Sequence, residues 1–476
     1  MTDSMKRVMI VLLASLVSVG LIAKVKPAGI ISDNMVLQQQ TEVALWGWAK
    51  ENAKVTIKPG WTKEKISAVS DGDGKWFAQV STPSAGLTPY NIVFDDGEKT
   101  VVRNVLIGEV WLCSGQSNMG MQMSGYNNQP VHGSTEDIIK AKPSVPIRMC
   151  TVPRSTPFTE LEDCQMQWLE HTPENVNTCS AVAYYFAKLL NEVLEVPVGL
   201  VMPYFGGSPI SAWMNRETIQ MKFPDLDISF IDKGEMPEVP SKKPVLLFNG
   251  MVAPIVPFTI KGLLWYQGCE DAGKNSRYRK MQKVYVEMMR ELFQNPDMPF
   301  YFAQLAPFNN RNPEGFEYAY LREAQMLSLN DIKNSGMVTT MDIGHPTCIH
   351  PPKKKEVGER FAYLALTKTY GIQGLQVDAP LYKKVEFKDG KSYVYFKVGG
   401  RGVGPRNENL GGFEVAGEDR VFYPATGETI QRDCIVVKCP QVKNPVAVRY
   451  GFRNWCEASV FGTTGIPASP FRTDNW

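Results

Sequence analysis

Between residues 105 and 377 the chain alternates short apolar segments with longer segments of helical periodicity, and this alternation constrains the fold more than any other feature. Five segments have the length and composition of strands: 105–113, 198–202, 259–266, 299–305 and 336–343. Apolar residues recur on one face of four segments that we predict as helices: 180–194, 278–293, 318–329 and 355–370. Strands that alternate with helices predict a parallel sheet with helices on both faces. We therefore expect an α/β body.

The regions on either side of this body have a different pattern. Residues 24–104 and 378–476 contain short runs of branched and aromatic residues, separated by turn signals such as Asp71-Gly72-Asp73-Gly74. This spacing predicts an N-terminal β-sandwich domain and a C-terminal β-rich domain. The expected order is therefore a β domain over 24–104, the α/β domain over 105–377 and a second β domain over 378–476.

The first 23 residues predict an export signal. Lys6 and Arg7 precede an apolar run from Val8 to Ile22, and Ala23 is a small residue where a signal peptidase could cut. The run is shorter than the ~20 residues that a spanning helix needs, and no other stretch comes close. We expect a periplasmic or extracellular protein with no membrane span in the mature chain.

Charge, cysteine and histidine content argue against several classes of protein. The chain has 51 Lys and Arg against 49 Asp and Glu, so its net charge of +2 gives no sign of a nucleic-acid partner. Its nine cysteines are an odd number, and none has the close pairing of a zinc site. Only four histidines are present, which leaves little material for a metal centre. We expect neither a metal nor an organic cofactor.

Candidate site residues follow the predicted strands, because open parallel sheets bind ligands at the carboxyl ends of their strands. Four segments stand out in these positions: 114–119, 205–208, 267–271 and 344–352. The first places Ser117 in a tight glycine-containing turn, where a serine can also serve simply as a helix cap. The last contains His345 and His350. The turn does not match the GxSxG elbow of α/β-hydrolases.

These segments resemble the successive sequence blocks of the sialate O-acetylesterase family, a branch of the SGNH hydrolases. The matching blocks are Gly115-Gln116-Ser117-Asn118-Met119, Gly206-Gly207-Ser208-Pro209-Ile210-Ser211-Ala212-Trp213, Trp265-Tyr266-Gln267-Gly268 and Ile349-His350-Pro351. Further similarity near both ends, over 32–38 and 465–473, extends the resemblance to nearly the whole mature chain. The resemblance implies an SGNH-type, flavodoxin-like α/β domain. It also implies a serine-dependent carbohydrate O-acetylesterase, whose partner is an O-acetylated carbohydrate substrate.

The resemblance also implies roles for individual residues. Ser117 would be the nucleophile and His350 the general base, with acetyl transfer through an acetyl-serine. An imidazole suits this task because it titrates near neutral pH. The oxyanion hole would combine the backbone N–H of Ser117, an N–H from Gly206 or Gly207 and the side-chain amide of Gln267.

Two positions depart from the family pattern. Asp271 stands where many members have an asparagine, and a carboxylate donates a hydrogen bond only when protonated, which makes Gln267 the candidate amide. Thr347 stands where SGNH enzymes usually have the aspartate that orients the histidine. Asp342 is the nearest acid and would serve if the loop folds back. The alternatives are a backbone carbonyl or a plain Ser-His dyad, or His345 as the base.

The family name implies a sialate 9-O-acetylesterase, and acetylxylan or another hemicellulose is the alternative substrate. A catalytically silent glycan-binding protein on the same fold is the alternative outside the enzymes. Arg216 and Arg322 are either structural ion pairs or clamps for a sialic acid carboxylate. Trp213 and Tyr266 are expected to pack in the core rather than to stack on a sugar. Residues 353–355, three lysines, predict a solvated face.

Overall fold

A computed structural model describes residues 24–399, 401–406 and 408–476 of the chain. The predicted export signal, residues 1–23, lies outside these ranges. The N-terminal region forms seven strands: β1 (Lys26–Pro27), β2 (Val36–Gln38), β3 (Glu42–Trp48), β4 (Lys54–Pro59), β5 (Ile66–Val69), β6 (Lys75–Ser81) and β7 (Gly86–Asp95). Strands β1, β3 and β6 form an antiparallel sheet. Alternate residues of β6 are buried, as expected of a strand with one face on a core.

The next strand, β8 (Lys99–Gly115), belongs to both the N-terminal region and the α/β body. Its first half pairs with β7 in antiparallel register. Its second half lies between two parallel strands of the central sheet. The domain boundary predicted between residues 104 and 105 therefore falls inside one continuous strand.

The central sheet adds six further strands: β9 (Ile147–Thr151), β10 (Trp168–Glu170), β11 (Val198–Met202), β12 (Gly262–Tyr266), β13 (Phe300–Ala303) and β14 (Ser335–Val338). The order across the sheet is β10-β9-β11-β8-β12-β13-β14, and all neighbours are parallel except β10 and β9. Strands β9 and β10 were not predicted. The buried Arg148 interrupts the apolar run of β9, and its guanidinium is neutralised by Glu170 of β10 at 3.1 Å.

Within the described ranges, nine α-helices accompany the sheet: α1 (Ser117–Gly120), α2 (Ser134–Ile139), α3 (Pro173–Thr178), α4 (Ala181–Leu194), α5 (Arg216–Lys222), α6 (Ser229–Lys233), α7 (Asn275–Leu292), α8 (Glu317–Ser328) and α9 (Lys354–Leu364). Short 3₁₀ or π turns occupy Ile210–Trp213, Pro240–Lys242, Phe248–Val252, Ala253–Ile255, Cys269–Asp271 and Ala365–Thr369. Successive residues of the same strands join different buried clusters, because side chains of a strand alternate between faces. Helices α7 and α8 cover one face of the sheet, and α4 and α9 cover the other.

The C-terminal region is β-rich, as predicted. Its strands are β15 (Leu381–Lys388), β16 (Lys391–Lys397), β17 (Val403–Gly404), β18 (Leu410–Ala416), β19 (Phe422–Gln431), β20 (Cys434–Lys438), β21 (Ala447–Tyr450), β22 (Phe461–Gly462) and β23 (Phe471–Arg472). Seven of them form one sheet, in the order β15-β16-β20-β19-β18-β21-β23. Asn454 joins this region to the α/β body, since its Oδ1 accepts from the N–H of Tyr318 at the start of α8. All nine cysteines are free thiols.

No helix in the described ranges is long and apolar enough to cross a membrane.

Candidate active site

The site lies at the carboxyl edge of the central sheet, where β8 ends. Gly115 closes the strand with φ of +139°, and a Cβ at this position would lie 2.3 Å from the carbonyl oxygen of Tyr266. Only glycine fits this approach. The turn presents Ser117 at the first residue of α1, and its Oγ lies 2.7 Å from Nε2 of His350. The structure thus brings together two side chains that are 233 residues apart in sequence.

The other ring nitrogen of His350 is bound by Gln129, a residue that the sequence did not indicate. Nδ1 lies 2.7 Å from Gln129 Oε1. Because an amide oxygen only accepts, Nδ1 carries the proton and Nε2 is free to accept from the Ser117 hydroxyl. Gln129 is itself fixed by a tight turn in which its backbone exchanges two 2.9 Å hydrogen bonds with Tyr126.

Tyr126 holds this turn against both members of the pair. Its hydroxyl donates to the carbonyl oxygen of Ser117 at 3.1 Å, and its ring meets the His350 ring edge-to-face at 5.2 Å. Burial raises the pKa of Tyr126 to about 12, so its hydroxyl stays protonated and acts as a donor. A polar cleft of about 700 Å³ opens beside the turn, lined by Gln122, Ser124, Gly125, Tyr126, Asn127 and Gln129.

The structure does not bring Asp342 to His350. Its carboxylate instead accepts two hydrogen bonds from the Arg360 guanidinium of α9, at 2.8 and 2.6 Å. A bidentate arginine is the stronger partner for a carboxylate than an imidazole across a loop. His345 does not reach Ser117 either, because its Nδ1 accepts from the N–H groups of Thr347 and Cys348 at 3.3 and 3.1 Å. His345 therefore caps its own loop.

The side chain of Gln267 is fully engaged away from the Ser117 hydroxyl. Its Nε2 donates to the carbonyl oxygen of Ser208 at 3.1 Å and to Asp271 Oδ2 at 2.5 Å, while its Oε1 accepts from the Tyr278 hydroxyl. The expected amide donor of the oxyanion hole is therefore committed to a buried network. Burial raises the pKa of Asp271 to about 6, so at neutral pH this carboxyl is mostly an ionised acceptor for Gln267 and for the N–H of Ile210.

Gly206 and Gly207 follow β11, and Gly206 lies against Ser117. A Cβ at Gly206 would come within 3.3 Å of Ser117 Cβ, so a side chain here would crowd the hydroxyl. Gly207 adopts a φ of +68°, which glycine accepts without strain. In the part of the chain that the structure describes, the N–H groups of Ser117, Gly206 and Gly207 donate to no protein acceptor. These three donors remain available to a ligand.

Lys354 contradicts the prediction of a solvated lysine face. Its side chain is completely buried, and its Nζ donates to Asn118 Oδ1 at 2.5 Å. Asn118 follows Ser117, and its Nδ2 donates to the carbonyl oxygen of Ile349, the residue before His350, at 3.0 Å. This chain of contacts ties the serine loop to the histidine loop. Burial lowers the pKa of Lys354 to about 7.

The electrostatic setting favours a neutral His350. Burial, followed by the charge of Lys354, lowers the pKa of His350 to about 4. No acidic side chain among the described residues acts on this ring. The imidazole is consequently neutral, and able to accept a proton, over nearly the whole physiological pH range.

The other residues considered for the sugar have different surroundings. One guanidinium nitrogen of Arg216 donates to both carboxylate oxygens of Asp232, at 2.6 and 2.8 Å, and Arg322 is fully buried and donates to the carbonyl oxygen of Arg453. Neither is free to hold a substrate. Trp213 and Tyr266 are buried, which confirms the core packing expected of them. Within the described residues, no three His, Cys, Asp or Glu side chains are grouped as metal ligands would be.

Comparison with known proteins decides the family. Residues 107–367, more than half of the chain, match the sequence profile of a family described as carbohydrate esterase, sialic acid-specific acetylesterase. The chain belongs to the sialate O-acetylesterase family. The sialate O-acetylesterases of Homo sapiens and Mus musculus are each 26% identical to it, over 494 and 511 residues. The alignments cover 93% of this chain in both cases, with 91% and 93% of the relatives.

A solved structure supports the same conclusion. The crystal structure of a carbohydrate acetylesterase from Xanthomonas citri superimposes with a TM-score of 0.85 at 31% identity, covering 95% of this chain and 100% of that one. As a member of the sialate O-acetylesterase family, the protein is a carboxylic ester hydrolase. The family implies an acetylated carbohydrate as its substrate.

Proposed function

We propose that the protein is a serine-dependent SGNH-type O-acetylesterase that removes the 9-O-acetyl group of sialic acids. The observation that carries the serine mechanism is the chain Ser117 Oγ, His350 and Gln129, joined by two contacts of 2.7 Å. A hydroxyl bonded to a neutral imidazole can lose its proton to the ring while it attacks an ester carbonyl. The choice of sialic acid rests on the family and on the names of its relatives.

The proposed reaction has two steps. Ser117 Oγ attacks the acetyl carbonyl carbon as its proton passes to His350 Nε2, and the intermediate collapses by returning that proton to the departing sugar hydroxyl. A water then attacks the acetyl-serine while His350 takes one of its protons. Collapse returns this proton to Ser117 Oγ and releases acetic acid. His350 ends each cycle neutral.

The oxyanion would be held by backbone donors alone. The N–H groups of Ser117, Gly206 and Gly207 are the candidates, since no protein acceptor competes for them in the described ranges. The side-chain amide of Gln267 is not part of this proposal, because its Nε2 already donates to the carbonyl oxygen of Ser208 and to the carboxylate of Asp271. Gln129 replaces Asp342 as the group that orients the base.

Replacing Gln129 with leucine is expected to lower kcat by about 10-fold to 100-fold and to change KM little. The reason is that the variant loses one hydrogen bond to a ring that becomes charged during catalysis, which is worth ~1.5–3 kcal/mol. Gln129→Glu should retain activity, because its carboxylate still accepts from Nδ1–H and stabilises the imidazolium. Steady-state kinetics with a chromogenic acetate ester would measure both effects. Full activity in Gln129→Leu would contradict the orienting role.

Gln122→Leu provides the control for these variants. Gln122 lies near the same turn, but its side-chain oxygen contacts only the Ser124 hydroxyl, at 3.5 Å, and does not reach His350. An equal loss in both leucine variants would indicate a general disturbance of the loop rather than a role for the Gln129 amide.

Removing the charge of Lys354 is expected to move the acid limb of the pH profile. In wild type, kcat/KM should fall below about pH 4, where His350 becomes protonated. A cation beside the ring disfavours a second positive charge, so Lys354→Met should raise the pKa of His350 and shift this limb to higher pH. Lys354 faces Asn118, the Tyr266 ring and two thiols, and no carboxylate among the described residues offsets it.

The matched control is Lys355→Met, one residue further along α9. Lys355 is half exposed and lies 3.9 Å from Glu359, so its removal should leave the acid limb in place. The measurement is kcat/KM against pH for all three proteins. An unshifted limb in Lys354→Met would show that this charge does not act on the base.

Acetate release from a panel of substrates tests the proposed function. The panel comprises 9-O-acetylated sialic acid, acetylated xylan and a chromogenic acetate ester, with wild-type protein. Highest kcat/KM on the sialic acid would support the proposal, whereas highest kcat/KM on xylan would favour a hemicellulose acetylesterase. A folded protein inactive on all three would favour the silent glycan-binding alternative. Labelling of Ser117 by a serine-directed phosphonate, located by peptide mass spectrometry, tests the nucleophile separately.

Export and domain division complete the proposal. We infer that residues 1–23 direct export to the periplasm or the extracellular space. The sequence pattern divides the mature chain into three regions, 24–104, 105–377 and 378–476. Amino-terminal sequencing of protein recovered after secretion would test the cleavage site, and an intact Met1 on exported protein would contradict it.

A further inference from the structure

An arginine that the sequence did not single out lies at the edge of the candidate active site. Arg154 follows β9, whose carboxyl end lies on the same edge of the sheet as Ser117. Its guanidinium carbon is 5.2 Å from the centre of the Phe205 ring. Phe205 donates its N–H to the carbonyl oxygen of Gly115 at 3.0 Å, and the next residue is Gly206, which approaches Ser117. Arg154 is therefore connected to the serine turn through one aromatic ring.

The charge of Arg154 also acts on two tyrosines of the site. It lowers the pKa of Tyr126 and of Tyr204, against the larger upward effect of burial on both. Tyr126 donates to the carbonyl of Ser117 and packs on His350. The effect of a charge falls with distance. Because the charge of Arg154 acts on both phenols, its guanidinium lies near the cleft rather than on a remote surface.

Arg154 has no anionic partner in the described ranges. It makes no hydrogen bond and no ion pair there, and its contact with Phe205 is a cation–π contact. Arg148, on the preceding strand, differs because Glu170 neutralises it. Of the two arginines considered from sequence, Arg216 is paired with Asp232, and Arg322 is fully buried and cannot meet a sugar at the surface.

Two positive side chains act on the rings of the reacting pair and its neighbours. Lys354 is the charged group that acts on His350, and Arg154 is the one that acts on Tyr126. No carboxylate perturbs any of these rings among the residues that the structure describes. A neutral sugar gains nothing from such a field, whereas an anionic one is attracted to it.

We propose that Arg154 binds the carboxylate of an acidic sugar and thereby selects anionic acetylated substrates. The planar guanidinium offers paired N–H donors that match a carboxylate, while the Phe205 ring supports its flat face. This inference rests on the proposed esterase function and adds to it the residue that recognises the substrate's carboxylate. Two sources share the required chemistry, a sialic acid and a uronic acid. Both carry a carboxylate on the same sugar residue that bears the acetyl ester.

Direct binding separates this proposal from the catalytic one. Ser117→Ala protein would be titrated by ligand-detected NMR with N-acetylneuraminate, galacturonate and neutral galactose. At least one acidic sugar is expected to bind about tenfold more tightly than galactose, because a hydrogen-bonded charge pair at an exposed rim contributes on this scale. Adding Arg154→Gln should abolish that preference, and Arg154→Lys should restore part of it. Adding Arg216→Gln instead should leave the preference intact.

The outcomes divide clearly. Tighter binding of N-acetylneuraminate identifies a sialic acid site, and tighter binding of galacturonate identifies a uronic acid site. Equal binding of acidic and neutral sugars, no binding of either acidic sugar, or a preference that survives Arg154→Gln would each overturn the proposal. Failure of the esterase function would appear elsewhere, as absence of acetate release by wild type, and would leave these binding results unchanged.

Discussion

Alanine at position 117 is expected to lower kcat/KM for acetyl ester hydrolysis by between about 10³-fold and 10⁶-fold, the range for loss of a serine nucleophile. The hydroxyl is the atom that would carry the acetyl group, and no neighbouring residue can replace it. Removing Oγ also deprives His350 Nε2 of its hydrogen-bond partner at 2.7 Å. Residual activity would come from backbone donors and binding alone.

The measurement is acetate release by wild type and Ser117→Ala, with thermal unfolding to verify the fold of the variant. Ser229→Ala provides the control, because Ser229 is also the first residue of a short helix but is exposed on α6. Wild-type turnover in folded Ser117→Ala would exclude the acetyl-serine mechanism.

Loss of the imidazole should be nearly as severe. His350→Ala is expected to reduce kcat/KM by at least about 10³-fold, since the serine hydroxyl then has no base to accept its proton. The double variant Ser117→Ala/His350→Ala should be scarcely worse than either single variant, because the two side chains act as one unit. Added imidazole should restore part of the activity of His350→Ala and none of that of Ser117→Ala.

His345→Ala distinguishes between the two histidines of the loop. His345 caps its own turn through Nδ1 and does not contact the serine, so its variant should keep kcat/KM within about tenfold of wild type. A larger loss in His345→Ala than in His350→Ala would reverse the assignment of the base.

The fold could be predicted where hydrophobic periodicity was undisturbed. The segment 198–202 is a strand residue for residue, and the helix predicted over 180–194 begins one residue later, because Ser180 caps it by accepting from the N–H of Ala183 at 3.1 Å. Strand β9 was missed because Arg148 breaks its apolar run, and its charge is hidden only by a residue on another strand. Such a pairing depends on the tertiary fold, so a short stretch of sequence around Arg148 does not indicate it.

The sequence indicated the Ser117–His350 pair of the candidate site but not the residues that support this pair. The sequence blocks indicated Ser117 and His350, but Gln129 lies 221 residues before His350 in a turn with no recognisable pattern. Asp342 is the nearest acid before His350 in the sequence and was therefore expected to orient it, but its carboxylate binds Arg360 on α9 instead. Distance along the chain was a poor guide in both cases.

Lys354 is the residue whose burial could have been found from the sequence. It precedes Val357 and Phe361 by three and seven positions, the spacing that places side chains on one face of a helix, and both of those residues are fully buried. The uniform charge of residues 353–355 hides this periodicity. The helical register of α9 separates the three lysines, directing Lys354 inward toward Asn118.

Strand β8 has a consequence for how this protein can be divided or recombined. The seventeen residues from Lys99 to Gly115 form one strand that pairs with β7 at its start and ends at the serine turn. The N-terminal region therefore shares a strand with the α/β body and is not a separate domain joined to it by a linker. Shortened or chimeric versions that begin at residue 105 would cut β8 and remove the half of this strand that pairs with β7, and the same strand supports the Ser117 turn.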